Sequence, residues 1–124
     1  MKKIPVVDDE KEVVDLLKDV LTQNHFSVVT ASSGSEAFEI AKTNDPDLIL
    51  LDIAMPETDG YMTCDKLQSD KNTQNIPVLF ITGKELDPEG VLMHCQNLSV
   101  SGYISKMSSL DEIMKGIRKS LFSS

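Results

Sequence analysis

At 124 residues, 40% apolar and 26% charged, the chain has the length and composition of one soluble globular domain that closes a single core without disulfides. Twelve basic against twenty acidic residues leave a net charge of −8, which argues against direct nucleic-acid binding and favours a metal cation as partner for the acids. No apolar run approaches the roughly 20 residues of a membrane helix, and MKKIPVVDDE meets acids too early for a signal peptide, so a cytoplasmic domain without membrane contact is expected.

In chain order, KIPVV reads as a strand, with Pro5 as a source of irregularity because it removes a ladder donor. DDEKEVVDLLKDVLTQN follows as a helix, with Val13, Leu16, Leu17, Val20 and Leu21 at helical spacing. FSVVTA is a second strand, and SGSEAFEIAKTN a short helix with Ala37, Ile40 and Ala41 on one face. DLILLD is a third strand, a continuous apolar run of the kind buried on both faces, and it ends on Asp52. A Pro/Gly loop and a helix from about Tyr61 to Ser69 come next, then a fourth strand, IPVLFIT. A helix near Pro88 to Asn97 and a fifth strand, SGYISK, precede a last helix, SSLDEIMKGIRKSLF, striped by Leu110, Ile113, Met114, Ile117 and Leu121. Regular alternation of strand and helix predicts a single α/β domain over residues 1–124 with a parallel sheet. The two cysteines, Cys64 and Cys95, lie far apart without metal-ligand spacing and are expected as free buried thiols.

Sites on an open parallel sheet form beyond the carboxyl ends of its strands. Those ends carry Asp8 and Asp9, Asp52, Thr82 and Lys106. Each has an ordinary explanation: Asp9 with Glu12 as a helix cap, Thr82 as a β-branched strand residue, Lys106 as a surface charge. Their convergence on one sheet edge is harder to treat as accident. Three carboxylates, a hydroxyl and an ammonium suit metal-assisted phosphoryl transfer to a carboxylate. In that chemistry Asp52 is the nucleophile, Lys106 pairs with a phosphoryl oxygen, and Thr82 donates its hydroxyl to another. His25 and His94 have no partners at ligand or nucleophile spacing, and Lys115, Arg118 and Lys119 complement the dipole of the last helix.

VVDDE, LILLDIAMPETDGY, FITG and GYISK, in this order, resemble the receiver domain of two-component response regulators, across essentially the whole chain. The resemblance implies a doubly wound, five-stranded parallel sheet in the order 2-1-3-4-5 flanked by five helices, and a receiver of the single-domain type. It implies Asp52 as phosphoacceptor, Asp8 and Asp9 as acids for Mg2+, and the backbone carbonyl of Ala54 as a further metal ligand. Thr82 matches the switch hydroxyl, Lys106 the paired lysine, and Tyr103 the aromatic that turns inward with the threonine. The implied partners are a sensor histidine kinase or a histidine phosphotransfer protein as donor and a downstream protein as reader. Such a domain is not an enzyme acting on other substrates.

Three departures stand out. Met107 follows Lys106 where the family usually has a proline after a cis peptide, Gly83 follows Thr82 in place of Ala or Ser, and the segment from Lys84 to Ser101 is slightly long. Lys84, one of the positions that tune acyl-phosphate lifetime in the family, is expected to reach over the site. A role as relay intermediate or phosphate sink is an alternative. An aspartyl-phosphate phosphatase is disfavoured, because that class places a second acid two residues beyond the nucleophile, where this chain has Ala54. A flavin binder on the same topology is disfavoured as well, because two acids after the first strand would repel a flavin phosphate.

Overall fold

The computed structural model describes residues 1–53, 60–83 and 100–122, and the expected helix near Pro88 to Asn97 lies outside them, as do Ala54, Lys84, His94 and Cys95. Within the described residues the order is β1 (Lys3–Val7), α1 (Lys11–Gln23), β2 (Ser27–Ala31), α2 (Gly34–Asn44), β3 (Ile49–Asp52), α3 (Gly60–Ser69), β4 (Val78–Thr82), β5 (Val100–Ser105) and α4 (Leu110–Phe122). All strand pairs are parallel and the sheet runs β2-β1-β3-β4-β5. The expected doubly wound sheet is thus observed, with four helices among the described residues.

Alternation along the strands divides the core. Leu48 and Leu50 join Ile4, Val6, Leu79 and Ile81 against Leu17 and Leu21 of α1 and Ile113, Met114 and Ile117 of α4. Ile49 and Leu51 join Val7, Val78 and Phe80 against Ala37 and Ala41 of α2 and Cys64 and Leu67 of α3. β3 and β4 are buried along their whole lengths, as continuous apolar runs covered on both faces must be. The sequence pattern overstated two stripes: Leu110 of α4 is exposed, and Leu16 of α1 is 50% exposed because the buried face centres on Leu17 and Leu21, with Val13, Val14 and Val20 at its margins.

Pro5 does not disturb β1, whose pairing with β2 runs unbroken from Lys3 to Val7. Lys3 turns both its N–H and its carbonyl toward Asp47, so strand alternation points Pro5 the same way. Pairing with β3 begins only at Val6, so the missing donor falls where there is no ladder to break.

Helix starts follow side-chain capping rules in two cases. The Ser33 hydroxyl accepts the Glu36 N–H at 3.2 Å at the start of α2, and Ser109 and Glu112 form a reciprocal pair ahead of α4. Helix α1 departs from them. Its N-cap is Glu10, without a side-chain cap, so the Asp9–Glu12 cap is not formed and Asp9 is left for other contacts. β5 carries an irregularity of its own: Val78 pairs with Val100 but Leu79 with Gly102, so Ser101 is an extra residue and Gly102 takes a φ of 149°.

Leu51 is fully buried immediately before Asp52. Leu51→Ala is expected to cost about 2–5 kcal/mol of stability, read from urea unfolding, because the double-faced packing leaves no route for water to fill the void.

Candidate functional site

The carboxyl ends of β1, β3 and β4 deliver Asp8, Asp52 and Thr82 to one edge, each at most 3% exposed. Asp52 is the last residue of β3 and pairs with Ile81, so the ladder continues up to the carboxylate itself. The next N–H, that of Ile53, is held by the Ile81 carbonyl at 3.3 Å. Asp8 is fixed from behind by its N–H to the Ala31 carbonyl at 3.1 Å, and its Oδ1 accepts the Glu10 N–H at 2.9 Å. Asp9 is exposed. Carboxylate oxygens of Asp8, Asp9 and Asp52 all lie within 4.8 Å of one another.

Lys106 follows β5 directly, and its N–H is held by the Thr82 carbonyl at 2.7 Å. Its ammonium lies 2.8 Å from Asp8 Oδ2, 2.9 Å from Glu10 Oε1 and 3.3 Å from Asp52 Oδ2. The peptide to Met107 is trans, and the chain turns there without a proline. Ser105 holds that turn: its hydroxyl accepts the Met107 N–H at 3.0 Å and its carbonyl the Ser108 N–H at 3.1 Å. A proline at 107 has no N–H to give to such a turn. Loss of the usual proline therefore does not move Lys106 away from Asp52. Gly83 is exposed, and a Cβ there would lie 3.5 Å from Lys106 Cδ.

The electrostatics follow from burial. Desolvation pushes the Asp8 carboxyl up to about 6, and the charge of Asp52 adds to this, while Lys106 and the Glu10 N–H pull it down. Burial alone would lower the Lys106 ammonium, but its contacts with Asp8 and Glu10, and the charge of Asp52, outweigh this and hold it above the usual lysine range. Glu10 is a site residue that sequence reasoning missed. Its position directly after the acid pair was visible, but only the folded geometry shows it reaching the lysine, at 2.9 Å.

A divalent cation fits these donors. One octahedral Mg2+ holds its oxygens about 3–4 Å apart and prefers carboxylates and carbonyls, and the Asp8, Asp9 and Asp52 oxygens lie within 4.8 Å of one another. Asp8 Oδ2 is buried and faces the Lys106 ammonium at 2.8 Å. The Ala54 carbonyl lies outside the described residues. Tyr103 on β5 is 40% exposed and stands in an outward position. The remaining expectations fall away from the site: Cys64 is buried and not in a disulfide, His25 is exposed, and Arg118 donates to Asn24 Oδ1 at 2.7 Å, tying α4 to the end of α1.

A parallel sheet in this strand order, with clustered acids after β1 and β3 and a lysine after β5, defines an acid site of the phosphoacceptor kind. The family model for the response regulator receiver domain matches residues 4–118, and the chain belongs to that family. It is 39% identical over 112 residues to the alkaline phosphatase synthesis transcriptional regulatory protein PhoP of Bacillus subtilis, covering 90% of this chain and 45% of that protein. It is 38% identical over 112 residues to the response regulator PleD of Caulobacter vibrioides, covering 90% of this chain and 24% of that protein. Among solved structures, the N-terminal domain of a response regulator receiver protein from Methanoculleus marisnigri superposes with a TM-score of 0.78 at 32% identity, over 100% of this chain and 98% of that one. The chain thus spans less than half the length of these two curated relatives. It is a receiver domain of two-component response regulators, a phosphoacceptor signalling domain. Receiver domains work with histidine kinases or phosphotransfer proteins and with output domains. No helix among the described residues is long and apolar enough to cross a membrane.

The raised Asp8 value sets a pH dependence. A free aspartate titrates near 3.9, so between there and about 6 the folded, metal-free protein binds a proton that the unfolded chain has released. Folding stability from this group is therefore present below about pH 4 and is lost as pH rises through about 6. Asp8→Asn removes the titration. With a chelator present, the stability of the parent is expected to fall relative to Asp8→Asn across that window, and parallel urea-midpoint profiles would contradict the assignment.

Proposed function

We propose that residues 1–124 form a single cytoplasmic receiver domain that takes a phosphoryl group onto Asp52, with Mg2+, from the phosphohistidine of a sensor kinase or phosphotransfer protein. The observation that carries this reading is the seating of Asp52, buried at the end of a double-faced strand, 3.3 Å from Lys106 and clustered with Asp8 and Asp9.

The chemistry balances simply. An oxygen of the Asp52 carboxylate bonds to phosphorus, the phosphorus–nitrogen bond of the donor imidazole breaks, and its electron pair stays on the nitrogen, which is protonated as it leaves. Asp8, Asp9, Asp52 and the Ala54 carbonyl would hold Mg2+, which would supply neutralisation of the phosphoryl charge. Lys106 is already beside Asp52 and needs only a small torsion to pair with a phosphoryl oxygen. Thr82, one ladder position from the lysine turn, donates its hydroxyl to another oxygen. Its shift draws Tyr103 inward from its outward position, which changes the surface that a downstream protein reads. The domain therefore catalyses its own phosphorylation and slow hydrolysis and acts on no other substrate.

Incubation with Mg2+ and a small acyl-phosphate donor is expected to yield a base-labile phosphate on the parent. That label should vanish in Asp52→Asn and in the presence of a chelator. A parent protein that takes up no phosphate, or an Asp52→Asn variant labelled as the parent is, would remove the central claim.

A further inference from the structure

Three carboxylates meet the Lys106 ammonium, and they are not equivalent. Asp8 Oδ2 and Asp52 Oδ2 belong to the acid trio, whereas Glu10 Oε1, at 2.9 Å, comes from a side chain outside it that is 60% exposed. The ammonium is thus a cation already seated on oxygens that a metal would use. A dication taking Asp8 and Asp52 must displace it, because like charges at such a range repel strongly where water is scarce. The turn that carries the lysine toward Glu10 is held by Ser105, whose hydroxyl accepts the Met107 N–H. Glu10 itself is anchored, since its N–H is held by Asp8 Oδ1 at 2.9 Å as α1 begins.

We infer that Glu10 is a positioning residue, a latch that keeps Lys106 across the acid cluster and so lowers the affinity of the metal-free site for a divalent cation. The inference rests on the metal reading given above. Glu10 has two opposed influences on a metal: its negative charge attracts the ion, and its ion pair retains the competitor. Which dominates in the single variant is a matter of balance, but the two separate in a double-mutant cycle.

Magnesium affinity is measured by titration calorimetry on the parent, Glu10→Gln, Lys106→Met and the double variant, with urea unfolding to establish that each is folded. Without Lys106 there is nothing to latch, so Glu10→Gln then reports only the loss of attractive charge. With Lys106 present, the same substitution is expected to be more favourable to Mg2+ binding by about twofold to fivefold than it is in the Lys106→Met background, the range expected of an exposed ion pair. The same change in Kd in both backgrounds would overturn the latch while leaving the metal site intact. Absence of Mg2+ binding in all four proteins would instead overturn the metal reading, and the latch with it. Should Lys106→Met fail to fold, Lys106→Gln supplies the same corner of the cycle.

Discussion

Placing an ionised carboxylate in the dry interior of a protein is costly unless a counter-charge is supplied. Asp8 and Asp52 are each 1% exposed and sit together at one edge of the sheet, so the cost is compounded by their mutual repulsion. The Lys106 ammonium answers both of them at once, from the far end of β5. Removing one partner from such a set leaves the others buried and uncompensated. The site and the carboxyl edge of the sheet are therefore energetically a single object, in which β1, β3 and β5 must all be in register for any of the charges to be tolerated.

The positions of these charges depend on packing remote from them. β3 can end on an acid because Leu48 to Leu51 fill both layers of the core and leave the strand no freedom to slide; a one-residue slip would exchange its two faces. Ile81 then holds the first residue beyond the strand. A carboxylate carried on an unanchored loop would spread over many orientations. Here its entropy has been removed by the folding of the core, before any ligand arrives.

Much of this was legible in the residues. Continuous apolar runs identified the buried strands, helical spacing identified α1 and α4, and the rule that sites gather at carboxyl ends of parallel strands picked out Asp8, Asp9, Asp52, Thr82 and Lys106 together. What was not legible depends on distances across the fold. Glu10 and Lys106 are ninety-six positions apart, and no local pattern reports their 2.9 Å contact. Leu16 satisfied the helical period but not the geometry, because periodicity gives the direction of a stripe more reliably than its width. The Asp9–Glu12 cap was chemically sound and lost to a competing arrangement, in which Asp8 takes the Glu10 N–H. Met107 was the plainest anomaly, and its resolution lay in Ser105, a residue with no reason to be singled out beforehand.

The displaced register in β5 bears on the behaviour of the protein at high concentration. β5 is the last strand of the sheet, and the outermost strand of any open sheet offers backbone groups on which a second chain can assemble. An extra residue at Ser101, followed by Gly102 in a conformation foreign to pleated strands, twists the first half of that ribbon out of line. Only Gly102 to Ser105 keep a regular partner spacing up to the strand's end. Four residues make a poor template for fibril growth. The irregularity thus lies at the end of the strand away from Asp52, while the end that holds Lys106 in place stays regular.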